Sequence, residues 1–129
     1  MKDLEFASTQ SSPAINANWQ SGVLAMRGDS YPENSFEFFS PIISWIEEYL
    51  EGTDQPLRLR LNLLYLNTSS VKAMMDILEL LEQAHLRGRN VAVKWNYDKE
   101  NARIADLAEE FKEDCTFPFD ILSNENDAA

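Results

Sequence analysis

Between Leu57 and Leu66 the chain alternates, with Leu57, Leu59, Leu61 and Leu63 set against Arg58, Arg60 and Asn62. A period of two puts the leucines on one face of a strand and the polar residues on the other. Residues 63–66 are apolar throughout, which predicts a central strand covered by helices on both faces at that end. Within four residues, Asn67, Thr68, Ser69 and Ser70, the period changes to that of a helix. Val71, Met74, Leu78, Leu81 and His85 then share one side, and Gly88 follows the end. A strand that feeds directly into a helix must bury its apolar face against that helix, so the chain is restricted to an α/β layering.

The flanking segments extend the pattern. Val91, Val93, Trp95 and Tyr97 alternate as a strand, Ile104, Leu107, Ala108 and Phe111 mark a helix over residues 98–114, and FPFDIL reads as a last short strand. Upstream, Phe36, Phe39, Ile43, Ile46 and Leu50 recur at helical spacing. Asn34 or Ser35 is available as the cap, Gly52 lies at the end, and Pro41 predicts a kink or a start near Ser40. GDSYPENS is a loop, and residues 14–17 and 23–27 read as a hairpin. The expected fold is therefore α/β: a mixed sheet with an N-terminal hairpin, a strand–helix–strand–helix–strand second half, and about three helices packed on the sheet. Residues 1–129 read as one domain, with 1–8 and 123–129 flexible and 1–12 loosely ordered.

Most site chemistries find no residues here. The chain has one histidine and one cysteine, which cannot assemble a zinc site, and no D-x-D-x-D-G loop for calcium. Neither a Walker loop nor a dinucleotide fingerprint is present. His85 falls in the last turn of a helix, where it suits the dipole. Cys115 follows Asp114, and an adjacent acid raises a thiol pKa, so a reactive thiolate is not expected. Met74 and Met75 sit within the apolar pattern and read as core. The formal charge of −11, from 11 basic and 22 acidic residues, argues against nucleic acid and against an anionic membrane surface. No segment approaches the length of a membrane span, no secretory leader is recognisable, and a lone cysteine cannot bridge internally; a reducing, cytoplasmic setting is the expectation.

The hydroxyl cluster remains. Ser and Thr are favoured N-caps, so capping alone is an adequate reading of LNTSS. Yet one cap needs one hydroxyl, and here there are three beside Asn67. The cluster also lies at the C-terminal end of the central strand, the edge where open α/β sheets place their sites. Free N–H groups and the positive end of the dipole would meet a phosphate there.

The stretches GDSYPENS, LLYLNTSSVKAMMDILELLEQAH and LAEEFKEDCTFPFDI closely resemble the SiaC family of bacterial regulatory phosphoproteins, from about residue 9 to residue 122. Its layout is similar to that of STAS-type anti-sigma-factor antagonists. The resemblance implies a non-enzymatic switch without a cofactor. Its phosphoacceptor would be Thr68, modified by a partner Ser/Thr kinase and restored by a metal-dependent Ser/Thr phosphatase. The unphosphorylated form would bind and activate a diguanylate cyclase, raising cyclic di-GMP and promoting biofilm formation. Ser69 or Ser70 would then cap the helix. Asn67, Ser69 and Ser70 would shape the partner contacts, with Tyr31, Glu33 and Asn34 on the same edge. The alternatives are a STAS-type antagonist of an anti-sigma factor and, further off, a small enzyme using paired carboxylates, for which no pair is visible.

Overall fold

The computed structural model describes residues 2–124. Six strands form one sheet in sequential order: β1 (Leu4–Phe6), β2 (Ala14–Asn18), β3 (Val23–Ser30), β4 (Leu57–Leu66), β5 (Val91–Tyr97) and β6 (Phe119–Ser123). β2 runs antiparallel to both of its neighbours, β1 and β3; β3 to β6 are parallel. Each parallel step is bridged by a helix: α1 (Ser35–Gly52), α2 (Thr68–Leu86) and α3 (Ala102–Glu113). Crossovers of one hand that always step the same way put every helix on the same face. Among the described residues the other face carries no helix.

This layering decides which leucines are core. Leu57, Leu59, Leu61 and Leu63 are at most 1% exposed, while Arg58 and Arg60 between them are exposed. Each such leucine contributes about 1.5–3 kcal/mol of burial. The expected two-sided cover of residues 63–66 does not occur. Leu64 and Tyr65 are each 46% exposed, at the point where the register with β3 shifts between Gly28 and Asp29 and leaves Leu64 without a partner on that strand.

Several other expectations are corrected. Residues 1–8 are not all loose: Leu4–Phe6 pairs with Ile15–Ala17. Tryptophan Trp45 donates its indole N–H to the Lys2 carbonyl, and Phe6 packs on the ring of Phe38, so tertiary contacts secure a strand too short to show a period. The 123–129 expectation falls largely outside the described residues. Helix α1 begins at Ser35 and continues through Pro41 rather than starting near Ser40, with Asn34 as its cap. Its buried stripe is Phe39, Ile42, Trp45, Ile46, Tyr49 and Leu50; Phe36, assigned to the core by spacing, is 83% exposed. Met74 is buried as expected, whereas Met75 is 53% exposed. Residues 98–101 form a turn, and α3 starts one residue after its cap, Asn101.

The hairpin between β2 and β3 turns at Gly22, with φ of +69°. A Cβ there would run into the Pro56 carbonyl and the Tyr49 hydroxyl, so both the conformation and the space require glycine.

Candidate functional site

Because every parallel strand leads into its helix at the same end, the N-termini of α1, α2 and α3 share the C-terminal edge of the sheet. All three are capped by asparagine. Asn34 accepts from the Glu37 N–H, Asn67 from the Ser70 N–H and Asn101 from the Ile104 N–H. Asn101 also donates from its amide to the Leu64 carbonyl at 3.0 Å, which fastens α3 to the end of β4.

The cap of α2 is thus Asn67, not Ser69 or Ser70. Its Oδ1 lies 2.9 Å from the Ser70 nitrogen, and its own N–H donates to the Ser30 carbonyl at 3.0 Å. Asparagine suits this position because its side-chain oxygen reaches the N3 donor from an extended backbone. The serines are occupied elsewhere. Ser70 and Ser30 are both 0% exposed, and their hydroxyls meet at 2.8 Å, joining α2 to the end of β3. Ser69 donates to Asn67 Oδ1 at 3.2 Å, so at its other contact, 2.6 Å, the hydroxyl of Ser35 is the donor. That pair joins the first turns of α1 and α2.

Thr68 differs from its neighbours. It is the first residue of α2, it is exposed, and its hydroxyl makes no hydrogen bond among the described residues. The N–H groups of Thr68 and Ser69 precede the first helical bond and remain available as donors. The dipole end adds about half a positive charge. No acidic residue lies in the first turn of α2; the nearest cation along the helix, Lys72, is paired with Asp76 at 3.5 Å. A group carrying negative charge on the Thr68 oxygen is therefore met by donors and not by carboxylates of its own helix.

Exposed apolar side chains surround this edge. Tyr31 is 39% exposed and lies against Tyr65, their ring centroids 6.0 Å apart. Phe36 follows the Ser35 that binds Ser69, and Met75 stands two turns beyond Thr68 on the same side of α2. Leu64 completes the group at the end of β4. Of the loop residues, Tyr31 and Asn34 are thus built into the edge, while Glu33 is exposed and makes no hydrogen bond or ion pair among the described residues. Residue spacing assigned Phe36 and Met75 to the core; their exposure is visible only once the helices are placed.

The remaining titratable groups offer little chemistry. Burial pushes the Cys115 thiol up to about 11, with Glu82, Asp114 and Glu79 adding to the effect. Sequence reasoning gave the direction but credited Asp114, which is the smaller influence. Hydrogen bonds from the Thr116 hydroxyl and N–H hold Glu82 below the usual carboxylate range. Among the described residues no group of three His, Cys, Asp or Glu side chains could hold a metal ion, and no helix is long and apolar enough to cross a membrane.

Known proteins share this arrangement. An uncharacterised protein of Pseudomonas aeruginosa (strain UCBPP-PA14) is 58% identical over 125 residues, spanning 97% of this chain and 99% of its own. The crystal structure of apo-SiaC from Pseudomonas aeruginosa superposes with a TM-score of 0.91 at 59% identity, covering 95% of this chain and 99% of that one. A second crystal structure, of the diguanylate cyclase SiaD in complex with its activator SiaC from the same organism, matches with a TM-score of 0.92 at 60% identity, covering 94% and 99%. Residues 6–124 match the SiaC family of regulatory phosphoproteins over nearly the whole length, and the chain belongs to that family.

Proposed function

We propose that this protein is a phosphorylation switch that binds and activates a diguanylate cyclase when Thr68 is unmodified. A partner Ser/Thr kinase phosphorylates Thr68 and releases the cyclase; a metal-dependent Ser/Thr phosphatase restores the binding form. The protein itself carries out no catalysis and acts in the cytoplasm, where cyclic di-GMP is produced. The observation that carries this reading is the contrast within one motif: Ser69 and Ser70 are engaged by Ser35 and Ser30, whereas the Thr68 hydroxyl is exposed and unbonded. Modification of Thr68 breaks no bond of the fold, while either serine would first have to leave its partner. The exposed apolar side chains of Tyr31, Phe36, Leu64, Tyr65 and Met75 support a protein surface as the docking partner. The solved complex of SiaC with the cyclase SiaD supports the class of that partner.

A phosphate placed on Thr68 adds about −1.5 to −2 charges. The helix end favours it by about 0.3–1 kcal/mol, so the fold survives. At an apolar docking surface the same group must be desolvated without partners, which opposes binding. Incubation with the kinase and ATP, followed by mapping of the phosphopeptide spanning residues 61–72, tests the site. Phosphate on Thr68 alone is the expected result; phosphate on Ser69 or Ser70 with Thr68 bare overturns the assignment.

A further inference from the structure

The helix-free face of the sheet is unlike the rest of the surface. The chain carries −11, yet four of its 11 basic residues, Arg27, Arg58, Arg60 and Lys94, stand on this face, and all are exposed. The strand registers bring them together. Ala25, Arg60, Lys94 and Asp120 form one cross-strand row; Arg58 lies between Val23 and Ala92, and Arg27 between Ala14 and Asn62. None of the four cations has a carboxylate within ion-pair distance among the described residues. The acids facing this side are Asp120, Glu5, which pairs with Asn16 in the same row, and Asp29, two residues beyond Arg27 on β3. Four cations against three acids leave the face net positive by one, while the remainder of the chain is more negative than the total.

The face is also shaped. A depression of about 1190 Å³ is floored by small residues, Ala14, Asn16 and Ala25, and walled by Arg27, Arg60 and Asn62. A second of about 320 Å³ continues it between Arg58, Ala92 and Lys94. The depression spans β2, β3 and β4, strands about 4.8 Å apart, and that width matches the roughly 10 Å diameter of an α-helix. Arg58 and Arg60 stand about 6.7 Å apart along their strand, close to the 6 Å rise between helical positions i and i+4. A nucleic-acid strand fits less well. The one aromatic residue lining the depression, Phe6, has its ring against Phe38, and the rest of the molecule would repel a polyanion.

We propose that this face is a second docking surface, which takes an α-helix of a partner protein presenting carboxylates at i and i+4. It is separate from the Thr68 edge, so either assignment can fail without the other. The probe is a capped, alanine-rich helical peptide with glutamate at every fourth position, titrated into isotopically labelled protein at low salt. Saturable shifts are expected at the amides of Ala25, Arg27, Arg58, Arg60 and Lys94, with the first turn of α2 unmoved. Both arginines of β4 are exposed, so R58Q/R60Q retains the fold and should bind at least about tenfold more weakly. K94Q alone should give a smaller loss, and salt should weaken binding throughout. A lysine version of the peptide should not bind. Absence of saturable shifts on this face, or equal affinity for R58Q/R60Q, overturns the proposal. Oligothymidylate of matched charge binding there as tightly also overturns it, in favour of a polyanion site.

Discussion

Replacing Asn67 with alanine should destabilise the protein far more than replacing Thr68, although the two residues are adjacent. Asn67 Oδ1 accepts the Ser70 N–H at 2.9 Å and the Ser69 hydroxyl at 3.2 Å. Loss of an N-cap typically costs about 0.5–2 kcal/mol, and the second, exposed bond adds a few tenths, so N67A should cost about 1–2 kcal/mol. Thr68 is exposed and its hydroxyl holds nothing, so T68A should stay within about 0.5 kcal/mol of the parent. For a chain of 129 residues each kcal/mol moves Tm by about 3–5 °C. N67A should therefore melt about 3–10 °C lower, and T68A within about 2–3 °C. Urea denaturation and thermal melts followed by circular dichroism read both values. If T68A loses as much as N67A, the Thr68 hydroxyl is structural and its freedom to be modified is an illusion.

The buried pair Ser30–Ser70 gives a second check: S70A alone should cost about 1–3 kcal/mol by stranding the Ser30 hydroxyl, and a double-mutant cycle with S30A should recover part of that loss. For acid stability the relevant carboxylate is Glu82, whose folded pKa lies below its ordinary value of 4.5. Its contribution is present above 4.5 and disappears as pH falls through the lower folded value, so E82A should melt below the parent at pH 7 and the gap should close in acid. An E82A deficit that is unchanged at low pH would mean the contact with Thr116 does not depend on the charge. Because Phe36 is 83% exposed, F36A should leave the melting temperature nearly unchanged yet weaken cyclase binding by about tenfold or more, as removal of an aromatic anchor does; calorimetric titration decides.

The layering was legible because it rests on period and on short connections. Leucines at 57, 59, 61 and 63 and the helical stripe from Met74 to Leu81 leave one plausible arrangement. What escaped was whatever depended on partners distant in sequence. Leu4–Phe6 is a strand because β2 offers a free edge and Trp45 reaches the Lys2 carbonyl, and three residues carry no period. Serine as the cap of α2 was a reasonable inference from propensity. It failed because Ser69 and Ser70 are claimed by Ser35 and Ser30, 34 and 40 residues away. The misplaced apolar residues share a location. Phe36, Leu64 and Met75 satisfied the local pattern, but all are exposed around the edge that holds Thr68. Departures from local consistency are expected where a surface serves binding rather than folding.

The central claim is that one phosphate on Thr68 turns cyclase binding off without altering the fold. The direct measurement is calorimetric titration of the cyclase with unmodified protein, with protein phosphorylated at Thr68, and with T68A, each checked by circular dichroism. A phosphate desolvated against an apolar contact costs at least about 1–3 kcal/mol, which is roughly 5- to 150-fold in affinity. The phosphorylated form should therefore show an unchanged spectrum and binding weakened by at least that factor, with T68A binding like the unmodified protein. Equal affinity of the phosphorylated and unmodified forms for the cyclase would contradict the switch.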